Sequence, residues 1–201
     1  MERVTPLCDI AFKYGTDKCP QLGHSYTPFY YDLLKDKRET IKKVLEFGIG
    51  GPETMPWVTK QGQQYQKGAS LLMWRDFFPN AQIYGVDCDP STIFQSKRIT
   101  TFLFNTKNSS KLINLIKKIG SDIDLVLDDG DHRGVSHMQV IKAVMPLLKQ
   151  DCIYIIEDSS DPDYLITLLN EYDYQIGKFS DRYNQNNLLV TKNNLIVVKK
   201  K

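Results

Sequence analysis

Val44, Leu45, Glu46, Phe47, Gly48, Ile49, Gly50 and Gly51 form the stretch that most limits what this chain can become. A short apolar run ending in a carboxylate and three glycines reads as a buried parallel strand that breaks into a tight turn. Without Cβ, Gly48 and Gly50 let the backbone take φ > 0 and let a ligand approach its N–H groups. A turn of this kind is a binding place.

The segments around it alternate in period. Helical spacing is read over 5–14, with Pro6 at an early helical position and Gly15 as the stop, and again over 26–35, 69–78, 110–119 and 162–170. Strands are expected at 82–86, 100–104, 123–127 and 152–156, and the apolar runs 174–179 and 188–198 suit a closing hairpin. Strands alternating with helices imply a parallel sheet with ligands at the strands' carboxyl ends. The Gln-, Gly- and Pro-rich stretch 51–68 is expected to be a mobile loop above the turn, and Lys199, Lys200 and Lys201 a solvated tail.

The turn does not suit a dinucleotide. A G-x-G-x-x-G fingerprint would place its third glycine where Glu53 stands, after Pro52. Glu46 points instead to a cationic group. S-adenosylmethionine carries an ammonium and a sulfonium and no phosphate. Asp87, closing the second strand, is placed to accept ribose hydroxyls, farther along than the roughly 20 residues a compact unit needs, with the long loop taking up the difference. Ser70 begins a helix, where it serves as an N-cap or faces a cofactor carboxylate.

Two acidic groups follow later strands: Asp128, Asp129, Gly130, Asp131 and His132 after the fourth, Glu157 and Asp158 after the fifth. If those strands are neighbours, five carboxylates converge and require a cation. Oxygen ligands alone favour a hard ion such as Mg2+. The plainer reading is that these acids cap the helices that follow.

In this order the motifs resemble one family. The Val44–Gly51 turn, the helix from Gly68 to Pro79, Ile83–Asp87, Asp128–His132 and Ile155–Asp158 together are similar to the class I methyltransferases related to the metal-dependent macrolide sugar O-methyltransferases. The resemblance runs from about Tyr14 to Asp158. It implies an α/β fold, a single Rossmann-like domain over 1–201 with a mostly parallel sheet, a C-terminal antiparallel hairpin and helices on both faces. Residues 1–43 would form a helical segment over the cofactor site and 44–201 the α/β core. It further implies that Thr16, Glu46, Gly48, Gly50, Ser70, Asp87 and Asp128 contact S-adenosylmethionine, Asp128 at its methionine portion. Asp129, Glu157 and Asp158 match the family's ligands for Mg2+, and His132, in Asp-x-x-His spacing from Asp129, matches its general base. Imidazole suits that task because its pKa lies near neutrality. Asp131 departs from the family's usual serine, and binds the metal's water shell or caps a helix.

Composition excludes several other classes. A net charge of +2 with 25% charged residues leaves no basic footprint for nucleic acid. The amino-terminal residues lack a signal peptide's apolar core and no run is long enough to span a bilayer, so a cytoplasmic protein is expected. Cys8, Cys19, Cys88 and Cys152 are irregularly spaced and read as free thiols. The implied activity is Mg-assisted methylation of a hydroxyl on a sugar or polyhydroxylated small molecule, by a protein that could be a homo-oligomer. A nucleic-acid methyltransferase, an NAD-dependent oxidoreductase and a non-catalytic binding module stay open on the same fold.

Overall fold

A computed structural model describes residues 3–53, 58, 62, 64–178, 182–183, 189–190 and 194–201. Two short helices open the chain, α1 (Pro6–Tyr14) and α2 (Tyr26–Leu34). Gly15 ends α1 in the left-handed conformation at φ 75°, as its place in the sequence predicts. The first strand, β1 (Lys43–Phe47), leads through the glycine turn to α3 (Ala69–Phe77). Then follow β2 (Gln82–Asp87), β3 (Gln95–Ser96), β4 (Ile99–Leu103), α4 (Ser109–Ile119), β5 (Leu125–Asp128), α5 (Gly134–Val144), β6 (Ile153–Glu157) and α6 (Pro162–Leu168). The chain closes with β7 (Tyr172–Lys178), the short pair β8 (Arg182–Tyr183) and β9 (Leu189–Val190), and β10 (Asn194–Lys200).

One 8-stranded sheet has the order β3-β4-β2-β1-β5-β6-β10-β7. The pairings among β4, β2, β1, β5 and β6 are parallel, and β10 runs antiparallel to both β6 and β7. The α/β class and the closing hairpin are therefore as the sequence implies. Because β1 lies between β2 and β5, and β5 beside β6, the acids that end these strands do meet at one edge.

Strand alternation sorts side chains onto two faces. Val44, Leu127 and Ile155 pack with Leu7, Tyr26, Tyr30 and Trp74 of α1–α3, whereas Leu45, Phe47, Val126, Tyr154 and Ile156 pack with α4–α6. Helix α4 turns Leu112, Leu115, Ile116 and Ile119 inward, the stripe its spacing predicts. By the same alternation Glu46 and Glu157 fall on the α1–α3 face and Asp128 on the other.

Several boundaries differ from expectation. Strand β5 starts at Leu125 rather than at 123, because the Asp124 side chain accepts the Lys42 and Lys43 N–H groups and anchors the strand's entry. Strand β6 runs to Glu157, paired with Leu195 of β10, so this acid lies inside the ladder rather than beyond it. The third parallel strand is displaced by one residue and gains β3 as an antiparallel edge. Gly68, at φ 70°, is the cap of α3, so Ser70 is a helical residue and not the N-cap. The terminal lysines are not a free tail: Lys199 and Lys200 pair with Asp173 and Tyr172, and Lys201 Nζ donates to the Asn170 carbonyl. All four cysteines are free. Much of the loop expected at 51–68, and the link joining the hairpin, lie outside the described residues. No helix among the described residues is long and apolar enough to cross a membrane.

Candidate active site

The glycine turn is shaped by what lies against it. Gly48 takes φ 85°, and a Cβ there would lie 1.9 Å from the Asp129 carbonyl oxygen, so no other residue fits. The Asp129 N–H donates to the Phe47 carbonyl, which stitches the turn after β1 to the loop after β5. Asp87 holds the turn from the other side: its carboxylate accepts the N–H groups of Ile49, Gly50 and Asp89 at 2.8, 3.1 and 2.9 Å. The Tyr65 hydroxyl donates to the Gly50 carbonyl, and Gln66 N–H to the Tyr14 carbonyl, drawing the described end of the long loop across to α1.

Beneath the turn lie two buried carboxylates, Glu46 and Glu157, the half-buried Asp129 and one lysine. Lys18 Nζ stands 2.7 Å from Asp129 Oδ2, 2.7 Å from Glu157 Oε2 and 3.9 Å from Glu46 Oε1. Burial opposes its charge, but Asp129, Glu157 and Glu46 outweigh that and raise its pKa. Neither oxygen of Glu46 has a hydrogen bond. The Ser70 hydroxyl and Trp74 indole N–H approach Glu46 without reaching hydrogen-bond geometry, and burial, only partly offset by Lys18 and by them, lifts this carboxyl to about 7. Glu157 is raised too, chiefly by burial against the pull of Lys18.

Nearer the surface, Asp129 Oδ1 meets His132 Nε2 at 3.0 Å, and Asp158 completes a cluster whose ligand atoms all lie within 4.8 Å of one another. The Tyr26 hydroxyl donates to Asp158 Oδ1, and His24, stacked on Tyr26, comes within 3.4 Å of Asp158 Oδ2. Burial, with Asp129 beside it, lifts Asp158 to about 6 despite His24. The hydrogen bond that His132 donates to Asp129 raises the imidazole's pKa, burial working against it. His132 and Asp158 have φ of 61° and 54°, two of the three positive-φ non-glycine residues among the described ones. Such backbone costs of order 1–3 kcal/mol each and tends to collect at functional sites. Ser160 ties the two loops together by donating its N–H and its hydroxyl to the His132 carbonyl.

The structure thus brings Glu46, Gly48, Gly50, Ser70, Asp87, Asp129, His132, Glu157 and Asp158 to one edge of the sheet. Glu157 lies a layer deeper than Asp129 and is joined to it through Lys18. Thr16 is buried at the end of α1, its N–H donating to the Ala11 carbonyl. Asp128 faces away: its carboxylate accepts from the Tyr154 hydroxyl at 2.8 Å and meets His137 Nδ1 at 3.1 Å, all three residues being buried among the α4–α6 contacts. Asp131 also turns aside, bound to Arg133, Ser136 and Lys107.

Sequence reasoning passed over Lys18, singling out Thr16 from the same segment. A charge count was the available signal, since acids converging from three strand ends need a cation and the chain's own lysines are candidates. Tyr154, the partner of Asp128, carried no local signal.

No family model matches the chain. It is 31% identical over 156 residues to mycinamicin VI 2''-O-methyltransferase of Micromonospora griseorubida, covering 78% of this chain and 36% of that one. It is 32% identical over 152 residues to demethylmacrocin O-methyltransferase of Streptomyces fradiae, covering 76% and 36%. The chain therefore spans little more than a third of the length of these curated relatives. Among solved structures, it superposes on MycE methyltransferase from the mycinamycin biosynthetic pathway, in complex with Mg, SAH and mycinamycin VI, with a TM-score of 0.71 and 25% identity, covering 98% of this chain and 55% of that one.

Proposed function

Given that the chain belongs to the class I S-adenosylmethionine-dependent methyltransferases, among those related to the macrolide sugar O-methyltransferases, we propose that it transfers a methyl group from S-adenosylmethionine to a hydroxyl of a sugar or another polyhydroxylated small molecule, assisted by Mg2+. The observation that carries this reading is the pairing of two features at one sheet edge. One is a buried carboxylate with unused oxygens, Glu46, beside a turn too tight for any side chain at Gly48. The other is the Asp129, His132 and Asp158 cluster.

The residues fit both groups. The unbonded oxygens of Glu46 suit the cationic methionine portion of the cofactor. Asp87 has filled much of its carboxylate with three backbone donors, so it holds the turn and offers its remaining lone pair to a ribose hydroxyl. Asp129 and Asp158 would hold Mg2+ from the surface layer and Glu157 from the layer below. When bound, Mg2+ would polarise the acceptor oxygen and lower its pKa. Because Nε2 of His132 faces the Asp129 carboxylate, that nitrogen carries the proton and Nδ1 is left to take one from the hydroxyl. The sulfonium already makes the methyl labile, so the protein's main task is to place the oxygen in line with it. A nicotinamide cofactor suits the site less well, since Glu53 and Pro52 occupy the end of the dinucleotide fingerprint.

The purified chain, given S-adenosylmethionine, Mg2+ and a panel of free sugars and glycosides, is expected to release S-adenosylhomocysteine with at least one acceptor, and EDTA should suppress that release. Turnover equal with and without EDTA would remove the metal from the mechanism. A chain that binds NADH and not S-adenosylmethionine would remove the methyl transfer.

A further inference from the structure

Lys18 occupies an unusual position for a lysine. Its side chain is only 4% exposed, and its ammonium bonds the same two carboxylates, Asp129 and Glu157, that the proposed function gives to a divalent ion. Both oxygens of Asp129 are engaged, Oδ2 by Lys18 and Oδ1 by His132. Glu157 is engaged by Lys18 through Oε2 alone, and its Oε1 is buried without a hydrogen bond. An ion that takes both acids can reach Glu157 through Oε1, but both Asp129 oxygens already have partners, so it meets the ammonium at Oδ2 or the His132 ring at Oδ1 and in either position lies close to the ammonium charge.

We propose that Lys18 is a competing internal cation, which holds the acidic centre together before a divalent ion binds and sets how tightly that ion is held. The inference rests on the metal reading of the site. The main chain at Lys18 is fixed, because its carbonyl accepts the N–H groups of Tyr26 and Thr27 at 3.1 and 3.0 Å and so caps α2. The four-carbon stem above it is flexible and ends in a point charge. Displacement is therefore a swing of one side chain, with the segment that carries it left in place. A lysine that only balanced charge for the fold would leave ion affinity unimproved when removed. A competitor leaves it improved, since taking away a unit positive charge roughly 5 Å from a divalent ion at intermediate dielectric tightens binding by about tenfold or more.

The test uses the full chain stripped of metal with EDTA, titrated with Mn2+ and followed by the electron paramagnetic resonance signal of the free ion. Lys18→Met, which keeps the stem, should bind Mn2+ about tenfold or more tightly than wild type, Lys18→Arg should stay within about threefold of wild type, and Asp129→Asn should lose binding in every background. If Lys18→Met binds no more tightly than wild type while Asp129→Asn still abolishes binding, the competition is wrong and the metal site stands. If neither wild type nor Lys18→Met binds Mn2+, the metal reading and this inference fall together. Should Lys18→Met not fold, wild type decides: Mn2+ should raise the acetylation rate of Lys18 relative to the other lysines, read by mass spectrometry, and an unchanged rate overturns the proposal.

Discussion

Strand β5 has a carboxylate just before its first residue and another just after its last, and the molecule treats them in opposite ways. Asp124, at the entry, accepts the Lys42 and Lys43 N–H groups through Oδ2 and the Lys149 ammonium through Oδ1. It joins the starts of β1 and β5 with ordinary backbone around it, and these partners hold its pKa below the usual carboxylate range against the opposing effect of burial. The Asp129 carboxylate, at the exit, is bonded among the described residues by two side chains, Lys18 and His132, and its neighbours include two left-handed non-glycine residues and buried oxygens with no hydrogen bond. One end is satisfied by the protein itself. The other is the end that the proposed function gives to a ligand, and unsatisfied buried polar atoms and strained backbone collect there.

The comparison breaks most readily at the exit. Asp129→Asn should lower methyl transfer by about 10³-fold or more, with Mn2+ binding lost, if this acid is both a metal ligand and the partner that orients His132. His132→Ala should lower turnover by about 10²–10⁴-fold, the range for a general base, with S-adenosylmethionine affinity within about twofold. S-adenosylhomocysteine release measures both, and calorimetry the affinity. Unchanged turnover in His132→Ala removes it as the base.

Gly48→Ala asks whether the exit is as tightly built as it is strained. The new methyl would meet the Asp129 carbonyl at 1.9 Å in a left-handed backbone. Left-handed conformation and overpacking together cost roughly 2–5 kcal/mol. A urea midpoint within error of wild type would mean that the turn and the loop after β5 part freely.

What was legible in the sequence follows the same division. The strand and turn at β1, the acids beyond β5 and β6 and the inward stripe of α4 are local patterns, fixed by steric rules and periodicity. The side chains' partners are not local. Lys18 reaches Asp129 and Glu157 across 111 and 139 positions, and no window contains both ends of such a bond. Asp128 and Asp129 are adjacent and chemically identical, yet the first faces Tyr154 and His137 and the second the site. Knowing which acid faces which way required the last residue of β5, and the predicted strand stopped one short of it. The start of the helix at Ala69 is legible, but Ser70 is not its N-cap, since Gly68 holds that place.

Asp124→Asn tests the quiet end. The substitution keeps an acceptor for the two N–H groups but removes the charge, so about 1–2 kcal/mol of stability should be lost at neutral pH, in the range of a charge-assisted hydrogen bond. The folded-state pKa is depressed, so the contribution is fully present above the unfolded carboxylate value of about 3.9 and disappears as pH falls through the lower folded value. Urea titrations of wild type and variant should differ by a constant amount from neutrality down to about pH 5 and converge only in stronger acid. Methyl transfer should be little changed. A gap that widens on acidification would reverse the sign and remove the ion pair as its cause.

The smallest effect concerns Asp131, for which the sequence left two roles open. Its carboxylate accepts from the Arg133 N–H and guanidinium and from the Ser136 hydroxyl, and Lys107 lies 3.1 Å away, so it spans the first turn of α5 and faces away from Asp158. These partners, working against burial, hold it well below the ordinary carboxylate range. That arrangement is an ion-pair cluster beside the helix start and not a helix cap, because the Gly134 N–H donates to Asp161 instead. Asp131→Ser, which restores the residue usual in the family, should cost about 0.2–1 kcal/mol, the range for exposed ion pairs. Mn2+ affinity should stay within about threefold of wild type, because a carboxylate tied to two cations has little field left for a third. A tenfold loss of Mn2+ binding would place Asp131 in the ion's water shell, and would show that the exit of β5 draws its ligands from farther around the loop than its hydrogen bonds indicate.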